Sequence, residues 1–384
     1  TTVPPLRFED TPNDISTVPA AEEYFTYTFT NVIDQSFHFG RPFFTSGTFS
    51  YYSTFDTGEG FCSSLIKEII NPVTGNNVGT PFKVATDHLY ESAPQDAILK
   101  TTLVGRNKST GVIQDKFIQV VIEEDTLISD SNSMMNFDKV EFEVPFSTDL
   151  IETVPDFTGT AFTRVKHFAW DGIGPGGFAF ETEYSVAEVS ITYPREFNFA
   201  NKTQFNFDIL LDSPKYIEVE NFNGGLNPIL YDLTTNQRIL PLLDNGIYKF
   251  YLENSDGQSH EYFISNTSNT NNIVSGFTRN FTNYASANNQ GDYLILTHKD
   301  LRIGTVDHVQ AYADYRASAE GGNYQVVVAD IEELYDQFGW GIEKHPLAIR
   351  NWIQYCYNEW SITPEHLFII GKGVRYDKTR SNTT

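Results

Sequence analysis

The sequence contains few residues of several kinds, and each shortage narrows what the protein can do. Cysteine occurs twice, at Cys62 and Cys356, so there is neither a disulfide framework nor a cysteine-rich metal site. Basic residues are scarce: 26 Lys and Arg stand against 50 Asp and Glu, a formal net charge of −24. Because a polyanion repels phosphate backbones and anionic lipid headgroups, we expect no nucleic-acid partner and no peripheral-membrane role.

Long apolar segments are also missing. No run of about 18 apolar residues occurs, so we predict no transmembrane helix. The first residues, TTVPPLRFEDTPND, lack a basic region followed by an apolar run, and we therefore expect any signal peptide to have been removed. Abundant Thr, Asn, Tyr and Phe together with 2 Met are typical of an exported β-protein.

The residues that are present predict antiparallel β-structure up to about residue 290. A chain of 384 residues exceeds the size of one hydrophobic core, so two or three domains are expected. Apolar and polar residues alternate in FTYTF, KVEFEVPF, FNFDILL and YKFYL, and turn residues separate these runs. We predict an N-terminal β-sandwich over residues 1–154 and a second sandwich module over residues 155–290.

The pattern changes after Asp292. DYLILTH, YQVVVADI and HLFIIG are continuous apolar runs, which predict buried strands at 292–298, 323–329 and 366–371. Helices are predicted at 305–320 and 346–360. Strands alternating with helices indicate a parallel α/β sheet over residues 291–384, and three strands suggest a truncated domain. The predicted fold class is therefore β-rich and multidomain: antiparallel β-sandwich modules followed by the first part of a parallel α/β sheet.

This last region resembles a known family. GDYLILTH, NYQVVVADIEELYDQFGWGIEKHPLAIRNWIQYCYNEW and HLFIIGKG are similar to the start of the gingipain-type cysteine peptidase domain. The version that they resemble most is that of PorU-like proteins, the sortases of the type IX secretion system in Bacteroidetes. YSVAEVSITYP and ILYDLTTNQRI also resemble the N-terminal region of such chains. The resemblance implies a caspase/gingipain-like sheet and Cys–His chemistry, in which a thiolate attacks the scissile carbonyl and a His transfers the proton.

The resemblance also implies where the catalytic residues lie. In the family a His that precedes a Gly and a later Cys both follow the third strand, and none of the eight His here precedes a Gly. We therefore expect the catalytic pair beyond Thr384 and assign no catalytic residue within the chain. The implied function is the N-terminal part of a cysteine endopeptidase or sortase, exported to the cell surface, the outer membrane or the medium. Its implied partners are protein substrates and other type IX secretion components.

Three residues are candidates for lining substrate subsites. His298 and Asp330 follow the first two α/β strands, and open α/β sheets bind ligands at the carboxyl ends of their strands. For Asp330 the favoured interpretation is a cap on the next helix. Lys372 stands where many family members carry an acidic residue, which argues against a pocket for Arg or Lys side chains.

The remaining candidates have simpler interpretations. Cys356 lies on the apolar stripe of a predicted helix, and we predict that both thiols are inert core residues. No cofactor is expected. Calcium is conceivable at Asp244-Asn245-Gly246 or at Asp256-Gly257, although plain turns are favoured because neither carries a complete ligand series.

The alternative function is that of a non-enzymatic surface protein. Its β-sandwiches would serve adhesion or carbohydrate binding, with a degenerate α/β remnant. Tyr51, Tyr52 and Trp170 could stack on sugars, although aromatic residues at alternating spacing are more often core. A His-Gly pair and a later Cys in the full-length gene would favour the peptidase.

Overall fold

The structure, a computed structural model, divides the chain into two compact units, Thr1–Asn271 and Asn272–Thr384. It describes residues 8–40, 42–45, 48–51, 58–106, 117–130, 134, 137–173, 179–225, 227–269, 280–345 and 347–373. The first unit consists of β-sheets and the second of a parallel sheet with helices, so the predicted fold class is confirmed. The predicted boundaries at 154/155 and 290/291 stay predictions.

The strands of the first unit are numbered in chain order. They are β1 (Glu9–Thr11), β2 (Tyr24–Val32), β3 (Ser36–His38), β4 (Pro42–Thr45), β5 (Thr48–Tyr51), β6 (Gly60–Cys62), β7 (Thr80–Ala85), β8 (Ala97–Gly105), β9 (Phe117–Ile122), β10 (Asp125–Asp130), β11 (Lys139–Phe146), β12 (Phe162–Trp170), β13 (Gly172–Ile173), β14 (Ala179–Phe180), β15 (Tyr184–Glu196), β16 (Gln204–Leu210), β17 (Lys215–Val219), β18 (Pro228–Asp232), β19 (Gln237–Ile239), β20 (Leu242–Asp244), β21 (Ile247–Leu252) and β22 (Ser259–Asn266).

Two four-stranded antiparallel sheets form the first core of this unit. Their strand orders are β10-β9-β12-β7 and β11-β8-β15-β2. Alternate residues of β12 are buried, because one side of the strand faces the other sheet while the opposite side faces solvent. Leu99, Val120 and Val165 lie in this core and are at most 1% exposed.

A second core lies between two further sheets of the same unit. The larger has the order β1-β19-β18-β22-β16, with β1 parallel to β19, and the smaller has the order β17-β21-β20. Phe205, Phe207 and Ile209 of β16 are buried in this core while the residues between them are exposed, as the alternation in FNFDILL predicts. Phe250 and Leu252 of β21 face them from the other sheet.

The two cores meet at the end of β15, where Arg195 is buried. Its guanidinium donates hydrogen bonds to the carbonyl oxygens of Asp87 (2.5 Å) and Asn198 (2.9 Å) and to the Asp87 carboxylate (3.1 Å). The same group lies over the rings of Tyr27 and Phe205, 5.2 and 5.3 Å from their centroids. Tyr27 contacts both hydrophobic cores, so Arg195 and Tyr27 form the joint between them.

The second unit is a three-stranded parallel sheet covered by helices. Its strands are β23 (Tyr293–Thr297), β24 (Val326–Asp330) and β25 (His366–Ile369), in the order β24-β23-β25, and its helices are α1 (His308–Ala317), α2 (Ile331–Phe338) and α3 (Leu347–Glu359). Leu294 and Leu296 pack with α2 and α3, whereas Ile295 packs with α1. Every residue of the central strand β23 is therefore buried, as its continuous apolar sequence predicts.

The prediction that the third strand is buried was wrong. Leu367, Phe368 and Ile369 of β25 are 40%, 42% and 50% exposed. The strand pairs with β23 along one edge, and the described residues supply no neighbour along its other edge. A continuous apolar run thus predicts a strand without showing that both of its faces and both of its edges are covered.

Candidate functional site

The carboxyl edge of the parallel sheet brings the three candidate subsite residues to one side of the second unit. β23 lies between the other two strands, with Thr297 paired to Asp330 and Leu296 paired to Ile369. His298 directly follows β23, Asp330 is the last residue of β24, and Lys372 follows β25 by three residues. Because parallel strands end at the same edge, the strand order dictates this arrangement.

Hydrogen bonds at both ring nitrogens hold His298 in place. Its Nδ1 accepts a hydrogen bond from the Asp300 N–H at 3.1 Å, at the start of the short helix Lys299–Arg302. Its Nε2 lies 3.1 Å from Glu332 Oε1. A ring that accepts at Nδ1 carries its proton at Nε2 and donates it to the carboxylate. With both nitrogens engaged, this His is a fixed hydrogen-bonding group at the edge of the sheet.

Glu332 connects the first two strand ends. It lies at the N-terminal end of α2, and it binds the Lys299 ammonium as well as His298. The Lys299 bond is the largest influence on the Glu332 carboxyl and, together with the His298 bond, lowers its pKa despite partial burial. Glu332 therefore remains a carboxylate at neutral pH and ties the segment after β23 to the start of α2.

Asp330 caps α2. Its Oδ1 accepts a hydrogen bond from the Glu332 N–H at 2.8 Å, which satisfies one of the free donors at the helix start. This is the capping interaction that the sequence favoured for Asp330. The same bond fixes the first turn of α2 and with it the position of Glu332.

Lys372 is exposed in the short segment that follows β25. Gly371 before it has a φ of +145°, and a Cβ added there would lie 3.4 Å from the side chain of Leu301. The segment after β25 thus runs close to the loop after β23. Leu301, Ile303 and Val306 of that loop are 48%, 78% and 54% exposed, so an apolar loop borders the charged residues at this edge.

Neither thiol of the chain has the surroundings of a nucleophile. Cys356 is fully buried on α3, and burial raises its pKa to about 12. Cys62 is 3% exposed, and burial raises its pKa too, although Arg106 donates to its Sγ at 3.1 Å. His38 lies on β3, which pairs with the strand of Cys62, but its Nε2 lies 2.9 Å from the Ser63 carbonyl oxygen. A catalytic Cys needs a lowered pKa, so both thiols are structural.

In the two turns considered for calcium, the Asp carboxylates are bonded to other groups of the protein. Asp244 bonds Lys249 at 2.8 Å, and Asp256 accepts from the Gln258 N–H and bonds His260 Nε2, both at 3.0 Å. Within the part of the chain that the structure describes, no group of three or more His, Cys, Asp or Glu side chains could hold a metal ion. In the same part, no helix is long and apolar enough to cross a membrane.

The sequence pattern does not show that Glu332 binds both His298 and Lys299. The helix dipole by itself accounts for Glu at the N-terminal end of α2, so the residue type gives no sign of a further role. The strand order of the sheet supplies the missing information. Two residues that each follow a neighbouring parallel strand lie on the same edge, so Glu332 is within reach of His298.

Comparison with known proteins confirms the family resemblance over the second unit. Residues 286–382 match the family model described as peptidase family C25. This region includes β23, β24, β25 and all three helices, and therefore the whole carboxyl edge. No curated protein sequence matches the chain.

Among solved structures, the chain is similar to dimeric latent PorU from Porphyromonas gingivalis, with a TM-score of 0.52 and 10% sequence identity. The match covers 92% of this chain and 30% of the PorU chain, so the similarity is one of fold and the chain spans less than a third of PorU.

Two further structural matches are distant. The xylan-binding module CBM15 has a TM-score of 0.21 and 12% identity, covering 47% of this chain and 95% of that one. The acetyl xylan esterase Est2A from Butyrivibrio proteoclasticus has a TM-score of 0.17 and 7% identity, covering 80% and 50%. TM-scores this low carry no argument about fold or function.

Proposed function

We propose that this chain is the N-terminal part of a gingipain-like cysteine endopeptidase or sortase that acts on exported proteins in type IX secretion. The observation that carries the proposal is the parallel sheet of the second unit, which lies within the match to peptidase family C25. The similarity in fold to PorU over 92% of the chain supports it. On this proposal the protein is exported to the cell surface, the outer membrane or the medium.

The catalytic His and Cys of this proposal lie beyond the residues of this chain. Both thiols support this, because burial raises their pKa values and a thiolate nucleophile needs the opposite shift. His298 supports it as well, since both of its nitrogens are already bonded. The sandwiches of the first unit would then support the catalytic domain. The carboxyl edge of the α/β sheet would contribute contacts to the substrate.

Within this proposal, His298, Asp330 and Lys372 line substrate subsites. They lie at the carboxyl edge of a parallel sheet, where open α/β folds bind their ligands. Lys372 is exposed and carries the positive charge that suits an acidic or neutral substrate side chain. The exposed apolar loop at Leu301, Ile303 and Val306 suits an apolar substrate residue beside it.

The proposal is tested by the full-length protein encoded by the gene. We expect a His-Gly pair and a later Cys after β25, hydrolysis of a mixed peptide library, and loss of that hydrolysis when this later Cys is replaced by Ala. The 384-residue chain by itself should cleave nothing. Cleavage by this chain that disappears in Cys356→Ala would contradict the proposal, and so would a full-length gene without the His-Gly and Cys.

The subsite assignment has its own test in the full-length enzyme. Lys372→Glu should change the ranking of substrates by the charge of their side chains. Lys344→Glu, in an exposed turn between α2 and α3, is the matched control and should leave the ranking unchanged. The same substrate ranking in the wild type, Lys372→Glu and Lys344→Glu would contradict a subsite role for Lys372.

A further inference from the structure

Aromatic side chains lie on the solvent side of the sheet β10-β9-β12-β7, away from the first core. Trp170 and Phe168 are alternate residues of β12, and Phe117 of β9 is the cross-strand partner of Trp170. Trp170 and Phe117 are both 39% exposed. We call Phe117, Phe168 and Trp170 the aromatic platform. It lies outside the α/β unit and is independent of the proposed peptidase function.

The platform is held in a defined geometry. The rings of Phe168 and Trp170 are nearly parallel, with 15° between their planes and 6.5 Å between their centroids. Gly79 has a φ of +68°, and a Cβ added there would lie 2.7 Å from the Phe168 ring, so the ring packs directly against the backbone. The packing of the Phe168 ring against Gly79 thus fixes the orientation of that ring.

Polar groups border the rings. Gln119 is the cross-strand partner of Phe168, and its side-chain amide donates to Thr126 Oγ1 at 3.0 Å. Asn77 donates to the Ala169 carbonyl oxygen at 2.7 Å, between the two rings in sequence. Flat apolar surfaces thus lie beside fixed amide groups.

The charges of this sheet face are paired with each other. Arg164 bonds Glu123 at 2.9 Å, and Lys166 lies 3.4 Å from Glu124. Lys83 lies 3.7 Å from Asp156. These cations are thus already neutralised, and the net charge of −24 repels anions over longer distances. A ligand of this face should therefore be uncharged.

We propose that the aromatic platform binds a neutral oligosaccharide or polysaccharide. The face of an aromatic ring carries partial negative charge, and the C–H groups on the flat face of a pyranose carry partial positive charge. Two nearly parallel rings suit adjacent sugar units, and the bordering amides suit their hydroxyl groups. A protein partner would require a much larger surface than three rings provide.

The test uses the 384-residue chain and three neutral hexasaccharides, cellohexaose, chitohexaose and maltohexaose, with hexagalacturonate as the anionic comparison. Isothermal titration calorimetry should show millimolar or tighter binding of at least one neutral sugar and weaker binding of hexagalacturonate. Trp170→Ala should weaken the binding roughly tenfold or more, because one stacking surface is lost. Trp170→Phe should restore part of it.

Trp340→Ala is the matched control, since Trp340 is 70% exposed in the second unit and should not contribute. Circular dichroism shows whether each variant is folded, and the partial recovery in Trp170→Phe separates lost stacking from lost structure. No binding of any neutral sugar by the wild-type chain would overturn the proposal. Equal affinities of wild type, Trp170→Ala and Trp170→Phe would also overturn it, as would preferential binding of hexagalacturonate.

Discussion

The two units differ in what their interiors contain. Among the described residues, the buried polar and charged side chains belong to the first unit, with the single exception of Thr297. The interior of the second unit is apolar and aromatic, with Trp352, Trp360, Tyr284 and Cys356 packed against the sheet. The stability of the first unit should therefore depend on buried polar contacts and on pH, whereas the stability of the second should depend on packed volume.

The largest expected effect tests the packing of the second unit. Trp352 is fully buried on α3, so Trp352→Ala should lower the free energy of unfolding by about 3–5 kcal/mol. Hydrogen exchange resolved by peptide should show the loss within residues 280–373. Trp340→Ala removes an exposed Trp from the same unit and should change stability by less than about 0.5 kcal/mol. Equal effects of the two variants would show that α3 is not packed as described.

The second effect tests the polar interior of the first unit. Arg195 is 1% exposed and bonds the Asp87 carboxylate. Arg195→Met should lower the free energy of unfolding by about 3–5 kcal/mol, because it leaves that carboxylate without its cationic partner. Arg164, which pairs with Glu123 at the surface, is the control. Arg164→Met should cost at most about 1 kcal/mol. Urea denaturation measures both values. An unchanged free energy of unfolding in Arg195→Met would contradict the view that the first unit depends on its buried polar contacts.

A third effect is acid sensitivity, which should come from His167. The ring is buried in the first core, where its Nε2 lies 3.0 Å from Thr101 Oγ1 and its Nδ1 has no described partner. Burial lowers its pKa to about 3. Between that value and about 6.5 the unfolded chain binds the proton more readily, so stability falls as the pH falls, by about 2 kcal/mol at pH 5.

His167→Gln removes this titration. The urea midpoint is measured at neutral pH and near pH 5 for each protein. The difference between the two midpoints should be smaller in His167→Gln than in the wild type. In His366→Gln, on the exposed strand β25, the difference should equal that of the wild type. An unaltered acid response in His167→Gln would place the sensitivity elsewhere.

The smallest effect should have the opposite sign and come from His260. This ring is fully buried, with Nδ1 2.7 Å from Asp232 and Nε2 3.0 Å from Asp256. Burial favours the neutral ring, but the bonds to the two carboxylates outweigh it and raise the pKa. The stabilisation is complete below about pH 6.5 and is lost as the pH rises through the folded-state value.

The measurement is the urea midpoint of the first unit from about pH 6.5 upward. The wild type should lose stability over this range, and His260→Gln should lose less. Asp256→Asn removes one carboxylate and should move the loss to lower pH. Equal losses in His260→Gln and the wild type would show that the ring is already neutral over this range.

The sequence predicted the elements of the second unit well, because its signals are local. Helices were expected at 305–320 and 346–360 and are found at His308–Ala317 and Leu347–Glu359, and the three parallel strands fall within the predicted apolar runs. Alternation also placed Phe205, Phe207 and Ile209 on one buried face. Each of these predictions depends on side chains that are neighbours in the chain.

The remaining features depend on neighbours that are distant in sequence. His167 and His260 occupy similar buried strand positions, yet one faces Thr101 and the other faces two carboxylates, which no local pattern distinguishes. The exposure of β25 depends on which strand lies beside it. In the candidate site, the position of His298 was predictable, whereas its bond to Glu332 required the strand order.

Strand β15 has an implication for the history of the first unit. Its 13 residues extend over about 43 Å. The strand begins among the side chains of the first core, and Arg195, its penultimate residue, lies over the ring of Phe205 in the second. A recombination event that exchanged one sandwich for another would have to match the end of this strand, the hydrogen-bond partners of Arg195 and the facing Tyr27 at once. We therefore expect relatives of this chain to keep or lose the two sandwiches as a pair.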